Sequence, residues 1–264
     1  MKVAIIGAGN MGGAIARALA ATGEYKIALS NPTLPKLEAF KAEFPEERFI
    51  TVTTDNVEAV IDADVVILAV KPWLLGQVIE EIKPRLVYRR NTIVSLAGGV
   101  SIDALDAMLV RGDELPAVCR VIPDTALSVG KSMTFIAGRR IEASSLQAVE
   151  SLFRRMGEVA VIEERLMDAA TALSSCGIAY VYKFIQACVQ AGVELGFKPA
   201  DALRYVCATV DGAAAMLSLP GAAPQTEIDK VTTPGGMTIK GINALEHSGF
   251  TSAVINAILT PVRK

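Results

Sequence analysis

A chain of 264 residues with 26 Lys and Arg against 28 Asp and Glu carries a formal charge of −2, and its pI is near 5.6. Its basic residues are dispersed, which leaves no electrostatic footprint for nucleic acid or an anionic membrane and favours a small-molecule partner. At this length roughly three quarters of the unfolded chain's surface is buried, enough for one large core or two smaller ones without disulfide or metal.

The chain opens with "MKVAIIGAGNMGGAIARALAATG", whose apolar run breaks at Gly7, too soon for the core of a signal peptide. Short apolar runs then predict strands at 2–6, 26–30, 50–52, 65–70, 92–96, 117–121, 133–137 and 159–162. Amphipathic patterns predict helices at 11–22, 34–43, 73–82, 102–109 and 144–156 between them. Strands alternating with helices make βαβ units and a mostly parallel sheet.

After Glu164 the strand signals stop. Residues 165–262 read as successive helices punctuated at 196–199, 220–224 and 232–241, so we expect an α/β domain over 1–164 and an all-helical one over 165–264. The apolar stretch 169–193 is interrupted by Lys183, Gln186 and Gln190, which fits a helix between protein surfaces better than a membrane span. Long Ala, Val, Ile and Leu runs in so small a domain, with a mean hydropathy of +0.41, call for a homodimer through the helical part. Cys119, Cys176, Cys188 and Cys207 have neither C-x-x-C spacing nor a secreted framework, as expected of free thiols in a reducing cytoplasm.

Gly7, Gly9 and Gly12 stand in G-x-G-x-x-G spacing between the first strand and the first helix. In that context Gly7 allows the tight turn, Gly9 the approach of a pyrophosphate and Gly12 close helix–strand packing, which is the dinucleotide cradle of a Rossmann-like fold. An NAD site places an acid at the end of the second strand. Here that strand ends in Ser30 and Asn31, with Thr33 and Lys36 following, a set that accepts a 2′-phosphate and favours NADPH over NADH. The stretches 69–73, 95–101 and 120–125 follow later strands and converge on the same crevice.

Together with these, "IIGAGNMG" (5–12), "DN" (55–56), "AVKP" (69–72), "IPDTA" (122–126), "ALSSCGIAYVY" (172–182) and "IDKVTTPGGMTIKGINALEHSGF" (228–250) resemble the pyrroline-5-carboxylate reductases. The resemblance implies hydride transfer from NADPH or NADH to a cyclic imine, giving proline. It also implies a Rossmann-like domain followed by a helical one, in intertwined homodimers that some members build into decamers. Carried over by motif, Gly7, Ala8, Gly9, Asn10, Met11, Gly12, Asn56, Ala69, Val70, Lys71, Pro72, Leu96 and Ala97 would contact the cofactor. Thr233, Gly236, Met237 and Thr238 would contact the substrate, with Glu164 a further candidate and Thr238 the catalytic hydroxyl. The chain departs from the family's M-P-N-T-P at Asp124 and Ala126, and from its S-G-S-G-P-A-Y at Ser175, Cys176 and Ile178. Two other readings stay open: a β-hydroxyacid dehydrogenase with Lys183 as general base, and a non-catalytic NADP-binding protein.

Overall fold

The computed structural model describes residues 1–45 and 49–263. The chain divides into two compact units, Met1–Ser175 and Cys176–Lys264.

The described residues of the first unit form eight strands: β1 (Lys2–Ile6), β2 (Lys26–Ser30), β3 (Ile50–Thr53), β4 (Val65–Leu68), β5 (Thr92–Ser95), β6 (Ala117–Ile122), β7 (Ser132–Arg139) and β8 (Gly157–Val161). They form one sheet in the order β3-β2-β1-β4-β5-β6-β7-β8, parallel except for the antiparallel β6–β7 pair. Its helices are α1 (Asn10–Ala20), α2 (Leu34–Glu43), α3 (Asn56–Val60), α4 (Leu75–Ile82), α5 (Ile102–Leu109), α6 (Ala143–Arg154) and α7 (Met167–Ala170). Successive side chains of a strand point to opposite faces, so a strand buried on both sides must be apolar throughout. In β1, Ala4 and Ile6 pack with Ile79, Ile82 and Leu105 of α4 and α5, while Val3 and Ile5 pack with Ile15, Leu19 and Phe153 of α1 and α6. The predicted strand 65–70 ends at Leu68, because Ala69 and Val70 turn out to form the wall of a cleft.

The expected boundary after Glu164 falls inside the first unit. Met167 is fully buried against the sheet, and the buried Arg120 of β6 donates to Asp168 Oδ1 at 2.7 Å. A π-helical turn over Thr171–Ser175 follows, held by the Ser174 hydroxyl to Asp124 Oδ2 (3.4 Å) and the Ser175 hydroxyl to the Pro123 carbonyl (2.7 Å).

The second unit is helical: α8 (Gly177–Glu194), α9 (Pro199–Leu217), α10 (Pro224–Val231), α11 (Met237–His247) and α12 (Phe250–Leu259). Helices α8 and α9 meet closely where Gly192 faces Ala202; a Cβ on Gly192 would lie 3.0 Å from that of Ala202. The Tyr180 hydroxyl donates to the Ala257 carbonyl at 2.9 Å and ties α8 to α12. Among the described residues of this unit only Ala202 is buried, so these helices have almost no core of their own.

Candidate functional site

The strand order reverses between β1 and β4, the place where an open parallel sheet leaves a crevice at its carboxyl ends. A cleft of about 860 Å³ opens there. Gly7 makes the turn out of β1 at φ +107°, its N–H donating to the Ser30 carbonyl at 2.8 Å. A Cβ on Gly12 would sit 1.9 Å from the Gly7 carbonyl oxygen, so only glycine lets α1 lie this close to the strand. A Cβ on Gly9 would meet nothing within 4 Å. Packing therefore does not demand a glycine at position 9; an approaching ligand would. Helix α1 has no side-chain cap and no acid in its first turn, so its leading N–H groups are suited to an anion.

Of the expected cofactor residues, Gly7, Gly9, Asn10, Met11, Asn31, Thr33, Asn56, Ala69, Val70, Lys71, Pro72, Leu96 and Ala97 line this cleft. Three others lie behind its wall. Ser30 is fully buried and spends its hydroxyl on Asn56 Oδ1 at 2.7 Å, because it ends an interior strand whose alternate face is core. Ala8 acts through its N–H, which donates to Asn31 Oδ1 at 3.1 Å and so shapes the glycine loop. Gly12 serves packing. The cleft wall also includes Lys36, Thr54, Leu74, Gln77, Val78 and Glu81. Positions 74, 77, 78 and 81 share one helical face, and that spacing was the signal available for finding them.

The 232–241 stretch lies in the second unit. Thr232 belongs to the preceding turn, its hydroxyl donating to the Ile228 carbonyl at 3.0 Å. Gly235 takes φ +72°, and the Gly236 N–H donates to the Thr233 carbonyl at 3.0 Å. The Gly236 N–H is thus already engaged, and the donors left at the start of α11 are those of Met237, Thr238 and Ile239. No side chain caps α11 and its first turn holds no acid; Met237 and Thr238 are exposed. Capping, the ordinary reason for a threonine beside a helix start, therefore explains neither Thr233 nor Thr238.

Glu164, expected near the substrate, is occupied. One oxygen accepts the Ile102 N–H at the start of α5 and the other pairs with Arg139 at 3.1 Å. Lys183 is exposed on α8 and donates to Gln186 Oε1 one turn on, at 3.0 Å. Asp124 is buried and its carboxylate accepts the N–H groups of Ala126 (2.8 Å) and Met133 (3.1 Å) besides the Ser174 hydroxyl. An acceptor-only side chain suits this corner. Burial pushes the Cys119 thiol up to about 12 and makes it inert.

Residues 164–264 match the family profile for pyrroline-5-carboxylate reductase dimerisation, and residues 2–99 match that for NADP oxidoreductase, coenzyme F420-dependent. Pyrroline-5-carboxylate reductase 2 of Dictyostelium discoideum is 36% identical, an alignment that covers 100% of this chain and 91% of the relative. The chain belongs to the pyrroline-5-carboxylate reductase family. Among solved structures, the family member from Coxiella burnetii superposes with a TM-score of 0.88 at 31% identity, covering 98% of this chain and 95% of that one. The pyrroline carboxylate reductase of Plasmodium falciparum, determined with NADP bound, gives 0.85 at 28% identity, covering 99% and 95%.

Proposed function

We propose that this protein is a pyrroline-5-carboxylate reductase, transferring hydride from NAD(P)H to the imine carbon of 1-pyrroline-5-carboxylate to give L-proline. Family membership over nearly the whole chain supports the reaction. The observation that carries the cofactor is the glycine loop at the β1–β4 crevice, where Gly7 and Gly12 are required by packing and Gly9 is left open before an uncapped helix. When bound, the reduced nicotinamide supplies the hydride. NADPH is the expected donor, with NADH as the alternative: Asn31, Thr33, Lys36 and Thr54 line the cleft and would face the ribose, and β2 contributes no acid.

A cyclic imine is basic enough to be partly protonated near neutral pH, and the iminium is already electrophilic. Such a reaction needs placement more than a strong base, and well-oriented reactants remove about 7–11 kcal/mol of barrier. The Met237 and Thr238 N–H groups at the start of α11 are suited to the substrate carboxylate, a site that contributes about 0.3–1 kcal/mol, or about 2 when partly buried. The Thr238 hydroxyl would hydrogen-bond the ring nitrogen, or a water that delivers its proton. Thr233 would contact the substrate beside it.

The apolar helices of the second unit support a homodimer, which some family members extend to a decamer. Residues 164–194 are long and apolar enough by composition alone to cross a membrane. We assign that surface to the partner subunit, as the dimerisation profile suggests, and the protein to the cytoplasm, in keeping with four free cysteines.

The test is NADPH oxidation followed at 340 nm with pyrroline-5-carboxylate. Rapid oxidation is expected; its absence, with oxidised cofactor reduced by a 3-hydroxy acid instead, would overturn the reading. Thr238→Ala should lower kcat roughly 10- to 100-fold, the value of a hydrogen bond to a charged group, with unchanged NADPH affinity. Unaltered turnover would remove Thr238 from the mechanism.

A further inference from the structure

Three ionisable side chains stand on the wall of the cleft among the described residues: Lys36, Lys71 and Glu81. Glu81 is the acid, and it lies on α4, away from the strand end where a nucleotide-discriminating carboxylate is ordinarily sought. Its Oε2 accepts from Asn56 Nδ2 at 2.9 Å, and Asn56 Oδ1 accepts from the Ser30 hydroxyl at 2.7 Å. Ser30 is the last residue of β2 and its carbonyl binds the Gly7 N–H, so this chain of three side chains is anchored in the core beside the glycine loop and reaches the cleft at Asn56, at the strand end where the adenosine ribose of a dinucleotide is ordinarily held. The two other acids at this corner are turned to the protein: Asp55 accepts the Val57 and Glu58 N–H groups at the start of α3, and Glu58 accepts the Thr53 hydroxyl.

The chemistry of the three groups fixes the asparagine. A serine hydroxyl can donate or accept and would tolerate either orientation of the amide, but a carboxylate only accepts. Glu81 therefore selects the orientation in which Nδ2 faces α4, leaving one amide N–H and one oxygen lone pair of Asn56 for a ribose hydroxyl. Its negative charge, one hydrogen bond from Asn56 on the same cleft wall, favours a 2′-hydroxyl and opposes a 2′-phosphate, against the pull of Lys36.

Resting on the cofactor assignment above, we propose that Glu81 sets the balance between the two nicotinamide cofactors. From α4 it supplies the acid that β2 lacks, orienting Asn56 and offsetting Lys36, so that it narrows the preference for NADPH over NADH. It is a positioning and selectivity residue; the hydride transfer itself does not involve it.

The experiment is equilibrium binding of NADPH and of NADH without substrate, read by the nicotinamide fluorescence, for wild type, Glu81→Gln, Glu81→Asp and Lys36→Gln. Glu81→Gln should move the ratio of the two Kd values about fivefold towards NADPH, the effect of one charge several ångströms away at a solvated site. Lys36→Gln should move it the other way, Glu81→Asp should stay near wild type, and the Glu81→Gln shift should shrink in high salt. A Glu81→Gln protein with normal thermal stability that weakens both cofactors equally, or changes neither, overturns the proposal. Failure of wild type to bind either cofactor would instead sink the assignment of the cleft.

Discussion

Gly9 and Gly12 stand three residues apart at the start of α1 and answer to different constraints. A side chain at 12 would run into the backbone of Gly7, whereas one at 9 would meet only the space of the cleft. Gly12→Ala should cost about 1–3 kcal/mol in urea unfolding, as overpacking does. Gly9→Ala should unfold like wild type within about 0.5 kcal/mol while binding NADPH at least roughly tenfold more weakly, since the added methyl would stand in the open space left for a pyrophosphate. Equal loss of stability in the two variants would contradict this division. The glycine spacing was readable from the sequence, but it could not say which residues touch a ligand. Ser30 illustrates this: a polar residue at a strand end looks available, yet it is fully buried and committed to Asn56.

At the scale of elements, strand edges are tied by side chains that periodicity does not reveal. Asp64, just before β4, accepts the Lys2 N–H of β1 at 2.8 Å and the Arg90 guanidinium before β5 at 3.0 Å. Burial pushes its carboxyl up, but these donors outweigh it and leave it below the ordinary value of 3.8. A carboxylate lowered by folding stabilises the protein above its unfolded pKa and loses that contribution as pH falls through the folded one. The stability difference between wild type and Asp64→Asn should therefore be full at neutral pH and shrink below about pH 4, checked by urea unfolding across pH 2.5–7. A difference independent of pH would refute the linkage. The alternation of strands and helices was legible because apolar runs and helical periodicity are local. Helix α3 escaped notice, since five residues capped by Asp55 carry too little periodicity to register. The π-helical turn at Thr171–Ser175 was equally hidden, because Asp124 and Pro123, which hold it, lie some fifty residues away in the sequence.

For the whole molecule, the contrast between the two units has the larger consequence. The first closes two apolar layers over its sheet, whereas the second exposes Leu195, Tyr182 and Phe197 and buries only Ala202 among its described residues. An apolar groove lined by Tyr182, Ile185, Val189 and Leu203 runs along α8 and α9. A charge placed there carries the cost of desolvation only if a partner covers it. Val189→Glu should accordingly halve the mass seen in sedimentation and leave NADPH binding by the first unit in place. A mass identical to wild type would mean that this face is not the dimer contact.

The sequence by itself determined the order of strands and helices, the glycine cradle, the family and the need of the helical half for a partner, since each is written in local pattern or in hydropathy summed over a segment. Tertiary structure alone decided the reversal of strand order between β1 and β4, the loss of Ser30 and Glu164 to internal hydrogen bonds, and the entry of Glu81 into the cleft. Those outcomes depend on groups distant in sequence competing for the same donors and acceptors, and only folding brings them within reach of one another.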